Sequence, residues 1–323
     1  MALSPEQLEQ FDREGWVLVR GLFDAAQMAE LRAGFDHVEA LARNHRQLPA
    51  PLLETDERPE EHGPNARRVY FHIQPPKGTP PDARYLRKVQ WPALLHPGFE
   101  GIRTSPKFQE LLRPHLGDDI RQYINQINFK MPGGDIEFPY HQDVRDGAVE
   151  EPISNYVQTY TLVDEATEDN GCLWVFPRSQ KRLGNMKGQD LTEALDMETA
   201  VPVTGQPGDC LLFSTYTVHG SHPNTTDKPR RAYINGFLRA DASLTPDCEW
   251  AFRDGAPVPL PSRYCPPPHV SAVTRRCDSL ILRPSRQVRL RRAGFPEGLP
   301  SLSASSLVAA RAPEQPPGPT RHE

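Results

Sequence analysis

The chain has 323 residues, of which 37% are hydrophobic and 24% are charged, and its formal net charge is −5. This length can fold as one large domain or as two of ordinary size. No apolar stretch reaches the length of about 18 residues that a membrane-spanning helix needs, so we expect no membrane span. The acidic balance argues against general binding to nucleic acid or to anionic membranes, and we expect neither as a partner.

Cysteine use indicates a reducing compartment. The five cysteines form no CxxC pair, which argues against a disulfide scaffold and against a cysteine-ligated zinc site. Residues 1–10 carry two glutamates and no apolar run, unlike a secretory signal. We therefore expect a cytoplasmic location. The cysteines are Cys172, Cys210, Cys248, Cys265 and Cys277.

The N-terminal part predicts two helices separated by a short strand. Ser4 and Gln7 have the spacing of a capping box, and Gly15 marks the end of the first helix. Residues 16–19 predict a buried strand. A second helix follows Asp24, with apolar residues at helical spacing: Met28, Leu31, Phe35, Val38 and Leu41. The segment 49–84 is rich in proline and charge, and we interpret it as irregular and as a candidate lid.

Beyond residue 121 the pattern changes to short β runs separated by Gly, Asn, Asp and Pro turns. Such spacing is typical of a β-sandwich or barrel, so we expect a mainly β fold with flanking helices. No βαβ alternation, GxGxxG, P-loop or GxSxG motif occurs, which argues against nucleotide-binding and α/β-hydrolase folds. The predicted strands are 123–131, 140–144, 155–163, 172–176, 209–213 and 230–238.

A composition break separates the last 59 residues from the rest of the chain. Residues 265–323 contain nine arginines, no lysine and four acidic residues, and they show almost no hydrophobic periodicity. Such sequences rarely build a packed core, so we predict a disordered tail. The expected domain is then 1–264, with a helical part at 1–120 and a β core at about 121–240.

Three residues have the pattern of a metal site. His141 and Asp143 lie two apart on a predicted strand, so their side chains point to one face. His219 follows another predicted strand. Two histidines and one carboxylate, with open coordination positions, are typical of non-haem Fe(II) oxygenases. His222 is an alternative ligand, but it lies in a predicted turn, where we expect it to face solvent.

Arg230 lies 11 residues after His219 and begins a predicted strand. Its face continues with Ala232 and Ile234, which are apolar and should point inward. Arg231 shares its face with residues that could also be buried, so alternation favours Arg230 only mildly. A buried arginine needs an anionic partner, either a ligand carboxylate or a structural Asp or Glu.

Polar side chains alternate along two more predicted strands. One set is Gln126, Asn128 and Lys130, and the other is Tyr156, Gln158 and Tyr160. Stripes of this kind form the solvated face of a sheet in most proteins, but a barrel that holds a ligand turns them inward. We predict Gln126, Tyr156 and Gln158 as residues that contact substrate.

The chain resembles the phytanoyl-CoA dioxygenase-like (PhyH) family of Fe(II)/2-oxoglutarate-dependent oxygenases over roughly residues 4–264. The resemblance depends on the blocks LSPEQLEQFDREGWVLVRGLF, FPYHQD, EDNGCLWVFPRSQK, GDCLLF and VHGSHPNTTDKPRRAY. It implies a double-stranded β-helix, a cupin-like jelly roll with helices packed outside. It also implies that His141, Asp143 and His219 bind iron, and that Arg230 holds the distal carboxylate of 2-oxoglutarate.

Two further residues follow from the resemblance. Lys130 stands where similar proteins have a lysine near the co-substrate, and Tyr160 stands where many members have tryptophan. We expect both near 2-oxoglutarate, although the tyrosine is a departure from the family pattern. Asp143 keeps the carboxylate that halogenating relatives lack, which argues against halogenation.

The resemblance implies a dioxygenase that uses Fe(II), 2-oxoglutarate and O₂ to hydroxylate a small organic substrate, releasing succinate and CO₂, with ascorbate supporting activity. Two alternatives remain open: a non-catalytic jelly-roll protein that binds a ligand or metal, and a zinc-type jelly-roll hydrolase or isomerase, which would not need Arg230. The sequence predicts neither the substrate's identity nor the oligomeric state.

Overall fold

A computed structural model describes residues 2–43, 53–55, 69–75, 83–132, 137–143, 156–182, 193–242 and 248–260. The chain divides into units 1–273 and 274–323, and every described residue belongs to the first. The predicted tail, 265–323, therefore lies outside the described residues, as does most of the candidate lid. No helix in these ranges is both long and apolar enough to cross a bilayer.

The first helix begins and ends as its sequence predicts. Helix α1 spans Pro5–Glu14. Ser4 Oγ accepts a hydrogen bond from the backbone nitrogen of Gln7 at 3.3 Å, and Gln7 Oε1 accepts one from the backbone nitrogen of Ser4 at 3.0 Å. Gly15 ends the helix with φ of 83°, a left-handed conformation that glycine adopts without strain.

The second helix, α2, spans Ala25–Arg43 and buries all five residues of its predicted apolar stripe. Three further helices follow: α3 (Pro97–Arg103), α4 (Pro106–Leu116) and the short α5 (Ser179–Arg182). Single 3₁₀ turns lie at Ala83–Tyr85, Pro92–Leu94 and Met197–Thr199. Helices α2, α3 and α4 pack on one face of a large β-sheet through phenylalanine contacts, such as Phe35 with Phe129 and Phe108 with Phe237.

The described residues contain fourteen strands. They are β1 (Trp16–Val19), β2 (Leu53–Thr55), β3 (Tyr70–Ile73), β4 (Leu86–Gln90), β5 (Ile120–Lys130), β6 (Phe138–His141), β7 (Tyr156–Leu162), β8 (Leu173–Val175), β9 (Val201–Val203), β10 (Cys210–Ser214), β11 (His219–Ser221), β12 (Arg230–Arg239), β13 (Glu249–Arg253) and β14 (Ala256–Pro257).

Two sheets enclose the inner core. The major sheet has the order β1-β10-β7-β12-β5-β4-β3-β2, with β13 on β5 and β14 on β13, and the minor sheet has the order β6-β11-β8-β9. All pairs are antiparallel except β2 with β3. An inner apolar cluster joins Ile234 and Phe213 of the major sheet to Val175 of the minor sheet. This is the mainly β, jelly-roll architecture that the sequence predicted.

Side-chain alternation assigns the two faces of the major sheet. On β12, Ala232 and Ile234 face the minor sheet, whereas Tyr233 and Phe237 pack into the cluster under the helices. Both faces are covered, so almost the whole strand is buried. This explains why the hydrophobic pattern of β12 is nearly continuous and why the sequence favoured Arg230 over Arg231 only mildly.

The prediction that 49–84 is irregular is wrong where the structure describes it. Strands β2 and β3 extend the major sheet there, and Phe71 and Ile73 of β3 are fully buried. Strands of three and four residues, set among prolines and charged residues, show too little hydrophobic periodicity to be recognised. The region 1–120 is therefore not only helical, because it also contributes β1–β4.

Candidate metal centre and adjoining cavity

Two histidines face each other across neighbouring strands of the minor sheet. His141 ends β6, His219 begins β11, and the two are paired in register with ring centroids 4.4 Å apart. Their Nδ1 atoms lie 2.7 Å and 2.9 Å from the backbone oxygens of Pro139 and Thr217. A carbonyl only accepts, so each Nδ1 carries a proton. Each Nε2 faces Asp143 and donates to it when protonated, and on losing that proton it is the atom that can bind a metal.

Asp143 completes the group just beyond the end of β6. Its backbone nitrogen donates to Thr215 O at 3.0 Å, which holds the chain after the strand. Its carboxylate oxygens lie 3.4 Å from His141 Nε2 and 3.3 Å from His219 Nε2. The three ligand atoms lie within 4.8 Å of one another. Two imidazoles and one carboxylate at this spacing could hold one iron ion and leave coordination positions open.

The charges of the three residues depend on one another. Burial works against ionisation of Asp143, but the charge of His219 and hydrogen bonds from both histidines hold the pKa of Asp143 well below its usual value. Burial also lowers the pKa of His141, but the hydrogen bond and charge of Asp143 outweigh it, so the pKa lies above its usual value. The carboxylate is thus ionised and ready to bind a cation.

Gln158 of β7 supports Asp143 from behind. Its Nε2 donates to Asp143 Oδ2 at 2.5 Å, and the side chain is almost completely buried. The sequence predicted Gln158 as a substrate contact. The structure places it in the wall of a cavity between the two sheets, but there its side chain contacts the carboxylate of the candidate metal group.

Arg230 lies at the start of β12 and is 2% exposed. Its Nη1 donates to the hydroxyl of Tyr160, and its Nη2 donates to Gly171 O at 2.5 Å. Its Nε is buried and has no hydrogen-bond partner among the described residues, none of which forms an ion pair with this guanidinium. A desolvated cation of this kind requires an anion, and its planar fork suits a carboxylate.

Arg231 has the opposite environment on the other face of the strand. Its Nε and Nη2 donate to the two carboxylate oxygens of Asp164, both at 2.9 Å. Burial lowers the pKa of Arg231, but Asp164 outweighs this and raises it. Arg231 therefore has a complete protein partner, and of these two neighbours it is Arg230 that lines the cavity between the two sheets.

Lys130 and Tyr160 surround Arg230. Lys130 pairs with Arg230 in the β5–β12 register, is 1% exposed, and donates to the backbone oxygens of Ser221 and His222. Burial, together with the charges of Arg230 and Arg87, lowers the pKa of Lys130 to about 7. Tyr160 lines the cavity, whereas Lys130 does not.

A cavity of about 480 Å³ lies between the sheets and joins the candidate metal group to Arg230. Gln126 lines it, as predicted from alternation. Tyr156 does not, because at the first position of β7 its ring packs against Tyr123 beyond the cavity, with centroids 6.2 Å apart. His222, the alternative ligand, is exposed, and its Nε2 lies 3.4 Å from the hydroxyl of Tyr140.

Four polar residues of the cavity wall come from strands that the sequence analysis did not find. They are His72 of β3 and Arg87, Lys88 and Gln90 of β4. The signal was present in part, since the buried Leu86 and Val89 are followed by polar residues, Arg87 and Lys88 after the first and Gln90 after the second. It was obscured because two adjacent cations are more often solvated loop residues.

The family is established by comparison with known proteins. Residues 11–232 match phytanoyl-CoA dioxygenase (PhyH), and this range is more than half of the chain. The chain therefore belongs to the PhyH family, which is a family of dioxygenase enzymes.

Individual relatives agree with this assignment. Methylphosphonate hydroxylase from Gimesia maris is 29% identical over 248 residues, which covers 75% of this chain and 84% of that protein. A probable alpha-ketoglutarate-dependent hypophosphite dioxygenase from Stutzerimonas stutzeri is 30% identical over 172 residues, covering 49% and 59%. The solved structure of EctD from S. alaskensis with 2-oxoglutarate and 5-hydroxyectoine has a TM-score of 0.57 at 23% identity, covering 74% of this chain and 77% of that one. This structural likeness confirms the jelly-roll fold.

Proposed function

We propose that the protein is an Fe(II)- and 2-oxoglutarate-dependent dioxygenase that hydroxylates a small organic molecule. One observation carries the proposal: the His141, Asp143 and His219 group and the buried Arg230 open into the same cavity of a PhyH-family jelly roll. The named relatives are hydroxylases and dioxygenases of small molecules, which supports the reaction class.

The metal-binding residues fit iron in this proposal. Nε2 of His141, Nε2 of His219 and a carboxylate oxygen of Asp143 are the ligands. Iron, when bound, would supply the chemistry by which 2-oxoglutarate and O₂ give succinate and CO₂, with the remaining oxygen atom entering the substrate as its new hydroxyl. The backbone oxygens of Pro139 and Thr217 fix the two rings, and Gln158 fixes the carboxylate, so the ligands need little rearrangement.

Arg230 fits the distal carboxylate of 2-oxoglutarate. Its Nη groups are oriented by Tyr160 and Gly171, which leaves further N–H donors for a carboxylate on the cavity side. The hydroxyl of Tyr160 accepts from Arg230, and in this proposal its own proton is donated to the same carboxylate. Lys130 contributes from behind by bracing the chain at Ser221 and His222.

The test is in two stages. Anaerobic protein with Fe(II) is first titrated with 2-oxoglutarate, and the visible charge-transfer absorption of the complex is recorded. A metabolite panel is then screened for succinate release with Fe(II), 2-oxoglutarate, O₂ and ascorbate. We expect absorption in the wild type and none in Asp143→Ala.

The two alternatives predict other results. A non-catalytic binding protein would show neither the absorption band nor any succinate above the uncatalysed rate. A zinc hydrolase or isomerase would retain activity without 2-oxoglutarate and would be insensitive to Arg230→Ala. Either pattern would contradict the proposed function.

A further inference from the structure

One turn of the chain, residues 214–217, holds the metal group through its backbone. This turn leads from the end of β10 towards the start of β11. It offers three successive carbonyl oxygens, and the first, that of Thr215, accepts from the backbone nitrogen of Asp143 at 3.0 Å. The third, that of Thr217, accepts from Nδ1 of His219 at 2.9 Å. Two of the three candidate ligands are therefore positioned by this turn.

The middle carbonyl of the turn holds the segment that carries the other ligand. Tyr216 O accepts from Nε2 of Gln142, whose side chain is buried. Gln142 stands between His141 and Asp143 in the chain. Its side chain is bonded to the turn, whereas the side chains of its two neighbours contact each other at the metal position. The turn therefore orients both sides of the metal group.

A buried tyrosine of β5 is bonded to the same turn. The hydroxyl of Tyr123 lies 2.8 Å from Oγ1 of Thr215, and both side chains are buried. The backbone nitrogen of Thr215 donates to Tyr156 O at 3.3 Å. Thr215 is thus held by its side chain and its nitrogen, while its oxygen holds Asp143. Because a rotation of Thr215 would move that oxygen, the contact with Tyr123 reaches the metal ligand through one residue.

A β-bulge brings Tyr123 to this position. In the pairing of β5 with β12, Gly236 is opposite Ile124 and Phe237 is opposite Gln122, so Tyr123 is an extra residue between the two pairs. In a regular strand adjacent side chains point to opposite faces. Because the bulge redirects one of them, Ile124 packs against the same apolar cluster that contains Tyr123.

Gly236 leaves room for the tyrosine ring. A Cβ atom at this position would lie 2.9 Å from Cε1 and Cζ of Tyr123 and 2.9 Å from Cβ of Ile124. Carbon atoms pack at roughly 3.5–4.0 Å, so a side chain here would displace the ring. On the other side of β12, Gly236 pairs with Gln158, which donates to Asp143. The ring therefore occupies a space that a glycine keeps open beside the metal group.

We propose that Tyr123 is a positioning residue of the metal centre. Its hydroxyl holds the turn at Thr215, and the carbonyls of the turn then orient Gln142, Asp143 and His219. The inference rests on the proposed function, because it concerns the residues that would hold iron. Tyr123 does not line the cavity, so its effect on a bound metal is transmitted through the turn.

Tyr233 is the matched comparison on the opposite face of the sheet. It lies on β12 and is fully buried, as the Tyr123 hydroxyl is on β5. Its hydroxyl accepts from Asn125 and donates to Phe99 O at 3.0 Å, so both of its partners belong to the side of the sheet that the helices cover. Loss of either hydroxyl should destabilise the fold, but only loss of the Tyr123 hydroxyl should change iron binding.

The test compares Tyr123→Phe with Tyr233→Phe, each of which removes one buried hydroxyl and keeps the ring. Fe(II) is titrated anaerobically into each protein in competition with a metal-binding dye. We expect Tyr123→Phe to lower Fe(II) affinity by roughly 3- to 10-fold, as the loss of one neutral hydrogen bond would, and Tyr233→Phe to stay within about twofold of the wild type. Thermal denaturation of the metal-free proteins should show a comparable loss of stability in both.

Variants of Thr215 supply the second half of the test. Thr215→Val removes Oγ1 with little change of shape and should lower Fe(II) affinity as Tyr123→Phe does. The double variant should lose little more than either single variant, because both remove the same contact. Thr215→Ser keeps the hydroxyl and should retain the affinity of the wild type.

A spectroscopic measurement distinguishes displaced ligands from lost protein. Each variant is saturated with Fe(II) without O₂, 2-oxoglutarate is added, and the charge-transfer absorption is recorded. Because the orientation of the ligands tunes a bound metal, the band of Tyr123→Phe should shift in wavelength. The band of Tyr233→Phe should coincide with that of the wild type.

The outcomes separate the two proposals. If the wild type binds Fe(II) but forms no band with 2-oxoglutarate, the proposed function fails, and the Fe(II) affinities still decide the role of Tyr123. If the wild type binds no Fe(II), both proposals fail. If the band forms but Tyr123→Phe and Thr215→Val bind Fe(II) as tightly as the wild type, the positioning inference fails alone. It also fails if Tyr233→Phe lowers the affinity as much as Tyr123→Phe does.

Discussion

The buried polar residues on the two faces of the major sheet differ in how completely other groups of the protein satisfy them. On the outer face, Asn235 Oδ1 accepts from both Gln122 and Asn125 at 2.8 Å, and Asn125 donates to the hydroxyl of Tyr233. The amide oxygens of all three residues accept hydrogen bonds from protein donors, since Gln122 Oε1 accepts from Arg103 and Asn125 Oδ1 accepts from the backbone of Ala93. On the inner face, Arg230 is equally buried but has no carboxylate partner among the described residues.

The two neighbouring arginines of β12 make this contrast in its simplest form. Arg231 is neutralised by the carboxylate of Asp164, whereas Arg230 donates hydrogen bonds only to a hydroxyl and a carbonyl oxygen, which are uncharged. Burying a charge without a counter-charge is costly. The ion pair on the outer face therefore stabilises the fold, whereas the guanidinium on the inner face gains its counter-charge only when an anionic ligand binds. The difference between structural and functional polar groups is therefore a matter of which face of one strand they occupy.

The largest expected effect comes from removing the one carboxylate of the metal group. Asp143→Ala should abolish turnover. Loss of a residue that hydrogen-bonds to a metal ligand typically lowers metal affinity by roughly 10- to 100-fold, and loss of the ligand itself should lower iron affinity by more than that. Metal analysis after dialysis measures the occupancy. His222→Ala, which alters an exposed histidine three residues from His219, should keep its iron. Loss of iron from His222→Ala would mean that the wrong histidine has been assigned.

The two arginines give the next test, and it compares the faces directly. Arg230→Ala should weaken 2-oxoglutarate binding by about 2–4 kcal/mol, roughly 30- to 1,000-fold, while leaving iron bound. Arg230→Lys keeps the charge but not the fork and should recover only part of the loss. Titration of anaerobic Fe(II) protein gives these affinities.

Arg231→Ala should show the reverse pattern. Its 2-oxoglutarate affinity should remain near that of the wild type, but the free energy of unfolding should fall by about 1–3 kcal/mol, because Asp164 is left partly buried without its partner. Urea denaturation measures this. If Arg231→Ala impaired co-substrate binding and Arg230→Ala did not, the assignment of the two faces would be reversed.

A smaller effect is expected behind the metal group. Gln158→Leu removes the hydrogen bond to Asp143 Oδ2 and should lower iron affinity by roughly 10-fold. Gln126→Leu is its matched control, because Gln126 also lines the cavity but donates to Asn128 instead. Competition with a metal-binding dye compares the two. Equal iron affinities would show that Gln158 does not position the carboxylate.

Local sequence rules predicted those parts of the molecule whose signals are local. The capping box at Ser4, the stripe along α2 and the i, i+2 placement of His141 and Asp143 all depend on neighbours in the chain. The strand predicted at 16–19 exists with those bounds, and each of the six strands predicted beyond residue 121 exists with bounds that shift by up to three residues.

The missing parts depend on distant contacts. Strand β4 is recognisable only from its pairing with β5, and strand β3 only from its pairing with β4, which also contains the bulge at Arg87. Tyr156 was misplaced for a related reason, since alternation gives the face of a residue but not its distance from a cavity. The polar part of the cavity wall that β3 and β4 contribute could not be predicted before the sheet order was known.

The smallest expected effect concerns Lys130, the buried inner-face cation whose pKa lies at about 7, against 10.5 as the reference value. Between these values the folded chain has lost a proton that the unfolded chain keeps, so stability contributed by this group rises with pH. Below pH 7 the full cost of burying the charge is present. The wild type should therefore gain melting temperature relative to Lys130→Met as the pH rises from 7 towards 10. The exposed Lys228→Met should leave the slope unchanged. Thermal denaturation of metal-free protein across this range is the measurement, and parallel curves for wild type and Lys130→Met would show that the carbonyls of Ser221 and His222 keep Lys130 charged in the folded chain.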